Sequence, residues 1–145
     1  MKKKWLAAIG ILAIIGIIAA VLIYIFIYNK PQPDYSKIKP DYTVNAEELF
    51  TEFQSDISTA SAKYTGKVLA VEGNLSSIEK SDSLLIAVFA IDEGLFGEEG
   101  IRFAFIPELT AEIESIAPGT PVTIKGYCTG YNDTDVIMEH CSLMK

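Results

Sequence analysis

Apolar residues fill the start of the chain without interruption. Residues 5–28 form a run of 24 positions with no charge, made mostly of Ile, Ala and Leu. As a helix with a rise of 1.5 Å per residue the run reaches about 36 Å, enough to cross a hydrocarbon core of roughly 30 Å. A cleaved signal peptide would have an apolar core of only about 7–15 residues followed by a small-residue cleavage site. The pattern therefore predicts a transmembrane signal anchor over residues 5–28.

Lysines flank this run on both sides. Three of them occupy residues 2–4, and three more are dispersed over residues 30–39. The positive-inside rule favours the denser cluster on the cytoplasmic side. We therefore expect a single-pass protein of a bacterial inner (cytoplasmic) membrane. Residues 1–4 would lie in the cytoplasm, residues 5–28 would contact membrane lipid, and the C-terminal domain would be periplasmic or extracytoplasmic.

A polar segment and an amphipathic stretch come next. Residues 29–43 hold three prolines and three lysines, which predict an extended linker. Residues 44–145 then form the expected folded domain. Asn45 is a helix N-cap candidate with Glu48 as its capping-box partner. Apolar residues follow with the 3.6-residue helical period as far as Tyr64, and Gly66 ends the predicted helix.

After Gly66 the apolar period changes to two, which is typical of strands. Strands are predicted over residues 67–78, 84–91, 101–106, 120–127 and 136–143, with a loop over 92–100 and a short helix over 109–117. This order predicts a mainly β domain with helices (α+β): a five-stranded OB-fold Greek-key barrel preceded by an amphipathic helix. Gly73 marks an expected bend in the first strand, and Gly126 an expected barrel corner.

Several short motifs resemble one known family. They are Glu48-Leu-Phe50, Ala62-Lys-Tyr-Thr-Gly-Lys67, Val71-Glu-Gly73, Pro118-Gly-Thr-Pro-Val-Thr-Ile-Lys-Gly126, Gly126-Tyr-Cys-Thr-Gly130 and Val136-Ile-Met-Glu-His-Cys141. They are similar to the tRNA_anti-like family of bacterial OB-fold proteins, and the resemblance extends over about residues 44–143. The resemblance implies an OB-fold, because the shared positions are glycines and apolar residues. It carries no catalytic or binding residue onto this chain.

Charge is distributed unevenly and limits the functions we expect. Residues 1–40 carry six bases and one acid, a charge of +5, whereas residues 41–145 carry six bases and eighteen acids, a charge of −12; the sum is the net −7. Single-stranded nucleic acid is bound by a basic groove with aromatic platforms. A domain with a charge of −12 would repel phosphates unless one face were locally basic. We therefore expect no nucleic-acid partner.

The expected function is a binding or scaffold module in the cell envelope that holds an envelope protein, a peptide or a glycan. The alternative is a ligand-sensing or nucleic-acid-binding OB domain. Two apolar residues in the acidic loop, Leu95 and Phe96, either contact a partner or fold back onto the barrel. With Arg102 on the third strand they form the predicted partner-contact set.

Reactive side chains are few. The single histidine, His140, follows Glu139, and consecutive strand residues face opposite sides of a sheet. No nucleophile, phosphate-loop or zinc-hydrolase motif occurs, so neither an enzyme nor a cofactor is expected. Cys128 and Cys141 lie on the last two strands and are predicted either to form a disulfide or to remain two reduced core thiols. With one histidine and no CxxC pair, no metal site is expected.

Overall fold

The N-terminal part of the computed structural model is one long helix. The structure describes residues 1–30 and 33–145, which form two units, Met1–Pro33 and Asp34–Lys145. In the first unit, helix α1 spans Lys2–Ile23 and continues as a π-helical turn over Tyr24–Tyr28. Within the described residues this is the one helix long and apolar enough to cross a membrane, a criterion that a signal sequence also meets.

The second unit combines short helices with seven strands. In chain order they are β1 (Tyr42–Asn45), α2 (Ala46–Ser55), α3 (Ile57–Tyr64), β2 (Val68–Asn74), β3 (Ser77–Ser81), β4 (Leu84–Gly94), β5 (Gly97–Phe105), a 3₁₀ turn (Pro107–Leu109), α4 (Thr110–Glu114), β6 (Pro121–Tyr131) and β7 (Asp135–Met144). The expected mixed α+β character of the domain is thus present.

The strands form one sheet in the order β1-β2-β6-β7-β5-β4-β3. The β1–β2 and β5–β7 pairs are parallel and the other four are antiparallel. This sheet is not closed, so the five-stranded barrel expected from the sequence is not confirmed. The expected first strand is divided at Leu75 and Ser76, whose backbone amides donate to Thr120 and Val88 on different parts of the sheet.

An additional strand comes from the predicted linker. The backbone amide of Asp41 donates to the Val68 carbonyl over 2.7 Å, and the Asp41 carboxylate accepts from the Val68 amide over 2.9 Å. These two bonds align the chain with β2, and residues Tyr42–Asn45 continue the pairing as β1. The sequence pattern missed this strand because a four-residue edge strand has almost no periodicity to detect.

The predicted single helix is in fact two helices. Asn45 caps α2 by accepting from the Glu47 amide over 2.9 Å, as its residue type predicts. Asp56 then adopts an extended backbone and caps α3 by accepting from the Thr59 amide over 3.1 Å. Aspartate interrupts helices in this way because its side chain competes for nearby backbone amides. The apolar stripe is broken with the helix, and Ile57 is exposed.

The predicted loop over residues 92–100 is wrong. Strands β4 and β5 run through this region, with Glu93 opposite Glu98 and Gly94 opposite Gly97. Only Leu95 and Phe96 lie outside the strands, as a two-residue turn. Glycines and acids had indicated a loop, but backbone pairing with the neighbouring strand depends little on side-chain polarity.

A single core holds the sheet and the two helices together. Leu49, Phe50 and Phe53 of α2 are buried in it, together with Tyr64 of α3. The inward residues of the strands complete it; they include Leu69, Val71, Leu85, Phe89, Ile101, Phe103, Phe105, Ile124, Val136 and Met138. Complete burial of each such large side chain stabilises the fold by roughly 1.5–3 kcal/mol.

Candidate nucleic-acid interface

The predicted partner-contact residues do not come together. Leu95 and Phe96 are each 96% exposed at the tip of the β4–β5 hairpin and do not fold back. Arg102 lies further along β5, where its guanidinium contacts Glu79 over 2.8 Å and Asp135 over 3.2 Å. Burial lowers the pKa of Arg102, but the two carboxylates raise it on balance, so its charge is compensated within the fold. A partner contact at these residues stays a prediction.

The two cysteines are free buried thiols in this structure, which is one of the two alternatives that the sequence left open. Cys128 lies opposite Met138, not opposite Cys141, because the hairpin is centred between Asp133 and Thr134, one residue before the midpoint of the two cysteines, and its register shifts twice. Burial raises the pKa of Cys128 to about 11 and that of Cys141 well above its usual value. Both thiols are therefore protonated and inert at neutral pH.

Most cations of the folded unit have a carboxylate partner. Within the described residues 34–145 the paired cations are Lys37 (with Asp34), Lys63 (with Glu52), Lys80 (with Glu114), Arg102 (with Glu79 and Asp135) and Lys145 (with Glu112). The other three, Lys39, Lys67 and Lys125, have no ion pair within the described part of the chain. Lys67 directly precedes β2, Lys125 lies on β6, which pairs with β2, and Lys39 lies in the segment that leads to β1.

Lys125 is at the centre of this region. It lies on β6 opposite Ala70 of β2 and is only 8% exposed. Its ammonium donates to the backbone carbonyl of Ser36 over 2.6 Å and to that of Ile38 over 2.9 Å. Residues 34–40, here called the strap, therefore cover the outer face of β2 and β6. The buried charge is held by carbonyl dipoles alone.

The other two lysines flank Lys125. Lys39 follows Ile38 in the strap, two residues before Asp41 bonds to Val68. Lys67 directly precedes β2, and its carbonyl accepts from the Cys128 amide over 2.9 Å. Both side chains are exposed. The three lysines thus lie in the strap, directly before β2 and in the middle of β6.

Three aromatic rings adjoin these lysines. The ring of Tyr35, from the strap, lies 5.2 Å from the ring of Tyr127 and 5.1 Å from that of His140, and it is nearly parallel to the imidazole. These spacings are those of stacked aromatic pairs. We call Lys39, Lys67, Lys125, Tyr35, Tyr127 and His140 together the aromatic–lysine face.

His140 has an unusual backbone. Its φ of 52° is in the left-handed region, which costs a non-glycine residue of order 1–2 kcal/mol. The pairing of β7 with both β5 and β6 shifts register here, so the strand carries an extra residue. The bulge also corrects one prediction, since Glu139 and His140 line the same cleft instead of facing opposite sides. Strain of this kind concentrates at functional sites.

The cleft beside His140 has a volume of about 390 Å³ and a largely apolar lining that includes Leu84, Ala104, Ile106 and Pro107. A larger cleft of about 610 Å³ lies between the start of α2 and strands β2, β4 and β6. Glu47 and Glu72 line that second cleft, and no lysine or arginine does. Its charge therefore disfavours a phosphate ligand, whereas the aromatic–lysine face favours one.

The sequence did not reveal this face. Tyr35 and Lys39 fall in the predicted linker, and Tyr127, Lys67 and His140 belong to three different elements. The one available signal was the even spacing of Thr123, Lys125 and Tyr127, which places their side chains on the outer face of one strand. Only the strap's position over that strand brings the remaining residues to it.

Comparison with solved structures supports the fold. A "putative nucleic acid-binding lipoprotein" from Klebsiella pneumoniae subsp. pneumoniae is similar with a TM-score of 0.56 and 19% identity, over 80% of this chain and 100% of that one. Two further structures align less well. The Stn1-Ten1 complex of S. pombe has a TM-score of 0.38 and 14% identity, over 54% of this chain and 58% of that one. A "putative aspartyl-tRNA synthetase" from Leishmania major has a TM-score of 0.44 and 10% identity, over 79% of this chain and 22% of that one.

No curated protein matches the chain in a sequence search. A family comparison does give a match, and it extends over nearly the whole length. The tRNA_anti-like family matches residues 1–143, which include both the apolar helix and the folded unit. This chain therefore belongs to the tRNA_anti-like family.

Proposed function

We propose that this protein binds single-stranded nucleic acid through the aromatic–lysine face. One observation carries the proposal: within the described residues of the folded unit, the three cations without a carboxylate partner belong to the strap, to the residue before β2 and to β6, and the strap and β6 also carry two contacting rings, Tyr35 and Tyr127. Basic side chains beside aromatic platforms are what single-strand binding requires. The domain acts by binding, and a catalytic activity is not part of the proposal.

This proposal replaces the expectation that nucleic acid is no partner. The findings that contradict that expectation are the tRNA_anti-like family and the nucleic-acid-binding description of the Klebsiella lipoprotein. The expectation had rested on the net charge of residues 41–145. Net charge governs long-range attraction, whereas contact depends on the local arrangement of charges.

The physical case combines two contributions. Each lysine that neutralises a phosphate releases a counterion, and this release makes binding favourable at low salt. Each base that stacks on an aromatic ring adds about 1–3 kcal/mol, judged by alanine substitution. The surrounding acids oppose long-range approach, and Glu139 lies directly opposite Tyr127. We therefore expect weak binding that is strongly dependent on salt.

The architecture around the face supports an OB-type barrel. Only Leu75 and Ser76 separate β2 from β3, and these two strands pair with β6 and β4 respectively. We infer that β2 and β3 are the two halves of one bent strand, the usual first strand of an OB barrel. The remaining strands, β4 to β7, supply the other four. In this view β1 is an addition at the edge of β2.

The N-terminal helix is the basis for a proposal about where the protein lies in the cell. We propose that it is retained as a single-pass anchor with residues 1–4 in the cytoplasm, in keeping with the lysine distribution. The test is digestion of a C-terminal tag by external protease in intact cells, spheroplasts and lysed cells. Digestion once the outside of the inner membrane is exposed supports this orientation. Protection until lysis contradicts it and places the nucleic-acid-binding face in the cytoplasm.

Binding can be measured with the full chain in lipid nanodiscs. The probe is a fluorescent single-stranded oligonucleotide of about 12 nucleotides, within the range that one OB domain covers. Its anisotropy is recorded at several salt concentrations. We expect the double variant Lys39→Gln/Lys67→Gln to bind more weakly and to lower the slope of log K against log salt by about 1.4, from 0.7 per phosphate contact.

The matched control is Lys80→Gln. Lys80 is also an exposed lysine, but its ammonium lies 3.0 Å from the Glu114 carboxylate on another part of the surface. Its substitution should leave both the affinity and the slope unchanged. The proposal fails if the wild-type chain does not bind the oligonucleotide at low salt. It fails equally if the double variant and the control behave alike.

A further inference from the structure

The strap places one of its own side chains between two residues of the aromatic–lysine face. Tyr127 lies on β6 and His140 on the β7 bulge, and the Tyr35 ring contacts the rings of both. All three residues are partly buried, so the phenol ring fills a defined space. We call the space that the Tyr35 ring fills, against Tyr127 and His140, the ring site.

The structure also shows how the strap is held. Among the described residues on the amino-terminal side of Asp41, its hydrogen bonds to the sheet are the two that Lys125 donates to the carbonyls of Ser36 and Ile38. Its other polar contacts are internal, from Ser36 and Lys37 to the Asp34 carboxylate. Residues 34–38 of the strap can therefore leave the sheet together, while the bonds between Asp41 and Val68 keep Lys39 near the start of β2.

Departure of the strap would change the chemistry of the face. Lys125 would lose two carbonyl acceptors, and a buried ammonium without acceptors is costly. A phosphate oxygen is a stronger acceptor for it than a neutral carbonyl. At the same time the flat faces of Tyr127 and His140 would become free for another ring. A nucleotide supplies both replacements, a planar ring and an anionic oxygen.

We propose that the ring site binds one nucleobase and that Tyr35 occupies it in the free protein. This inference rests on the proposed single-strand binding, for which it names one base position and its internal competitor. The cleft beside His140 is lined also by Glu108 and Glu139, so the proposed base position is confined to the ring site itself.

The decisive experiment compares Tyr35→Ala with the wild-type full chain in nanodiscs, using a fluorescent thymidine oligonucleotide of about 12 nucleotides. Removal of the competing ring should raise the affinity about two- to tenfold, the factor that one aromatic stack contributes. Tyr127→Ala should lower it. Tyr42→Ala is the matched control, because Tyr42 is an exposed tyrosine on β1 whose ring contacts Tyr64 and not the rings of the ring site.

An abasic oligonucleotide of the same length distinguishes binding through the bases from binding through the phosphates. The Tyr35→Ala advantage should disappear with this probe, because a backbone without bases has no ring to insert. Unchanged or weaker binding of the thymidine probe by Tyr35→Ala overturns the ring site, even where the lysine variants still support single-strand binding. Absence of binding by both the wild-type chain and Tyr35→Ala overturns the ring site together with the proposed function.

Discussion

Replacement of Arg102 tests whether it serves the fold instead of a partner. Its guanidinium Nε donates to the Asp135 carboxylate over 3.2 Å, and Nη1 donates to Glu79 over 2.8 Å. The Asp135 side chain is 10% exposed and also accepts from the Gly100 amide over 3.0 Å. Arg102→Met would keep much of the side-chain volume but leave this buried carboxylate without its cation.

The magnitude follows from the burial of the two partners. Loss of one partner from a fully buried ion pair costs about 3–5 kcal/mol. The Arg102 side chain is 30% exposed, so water can partly solvate the remaining carboxylate, and we reduce the expected cost to about 2–3 kcal/mol. For a domain of about 100 residues this lowers the melting temperature by roughly 8–12 °C.

The assay is thermal and urea unfolding of the full chain in mild detergent, followed by the near-ultraviolet circular dichroism of its tyrosines. Arg102→Met and Asp135→Asn are measured alone and together. Because both remove the same contact, the double variant should be more stable than the sum of the two losses predicts, by about 1–2 kcal/mol. Lys80→Met is the control, since its ion pair is exposed and should contribute less than about 1 kcal/mol.

Two results would refute this reasoning. Additive losses in the double variant would mean that Arg102 and Asp135 stabilise the fold independently. A loss no larger than that of Lys80→Met would mean that the carboxylate does not depend on Arg102. In either case Arg102 would be available to a partner, as the sequence had predicted.

Three further predictions concern packing and strain. Gly73→Ala should destabilise the fold by about 1–3 kcal/mol in urea unfolding, because the new methyl would lie 2.8 Å from the Phe89 ring. The double variant Gly73→Ala/Phe89→Leu should recover part of this lost stability. Cys128 and Cys141 should not react with a thiol reagent until urea unfolds the chain, and rapid labelling of the native protein would contradict this. Because burial raises the pKa of both thiols in the native state, only the unfolded thiols ionise just above pH 9. The free energy of unfolding should therefore fall as the pH rises above 9. His140→Gly should be more stable than His140→Ala by about 1 kcal/mol, since glycine tolerates the positive φ, and equal stabilities would argue against strain.

Local chemistry determined much of the fold in advance. The charge-free run over residues 5–28 predicts a long apolar helix, because length and composition suffice for that inference. Asn45 caps α2, and Gly66, with a φ of 81°, follows the end of α3, because a cap or a left-handed turn depends on one residue and its neighbours. The alternation of apolar residues likewise predicted that strands would fill the second half of the domain.

Where the prediction failed, contacts distant in sequence decided the structure. The first strand divides at Leu75 and Ser76 because its two halves bond to separate strands, and the hairpin of β4 and β5 extends through an acidic segment because each strand satisfies the other's backbone. Whether Cys128 lies opposite Cys141 likewise depends on register, since a shift of a single residue changes which side chains lie opposite each other.

The proposed site shows most clearly which features follow from the sequence and which depend on the tertiary structure. Composition alone gave the folded part an acidic balance and, with it, the wrong expectation about nucleic acid. Which lysines keep a free charge depends on which carboxylates the tertiary structure brings within reach, and that cannot be counted from the sequence. Lys125 is buried beneath a strap that precedes it by about ninety residues, and Tyr35 reaches His140 only because the same strap crosses the sheet. The sequence determined the elements and their caps, whereas the tertiary structure alone decided where basic and aromatic side chains meet.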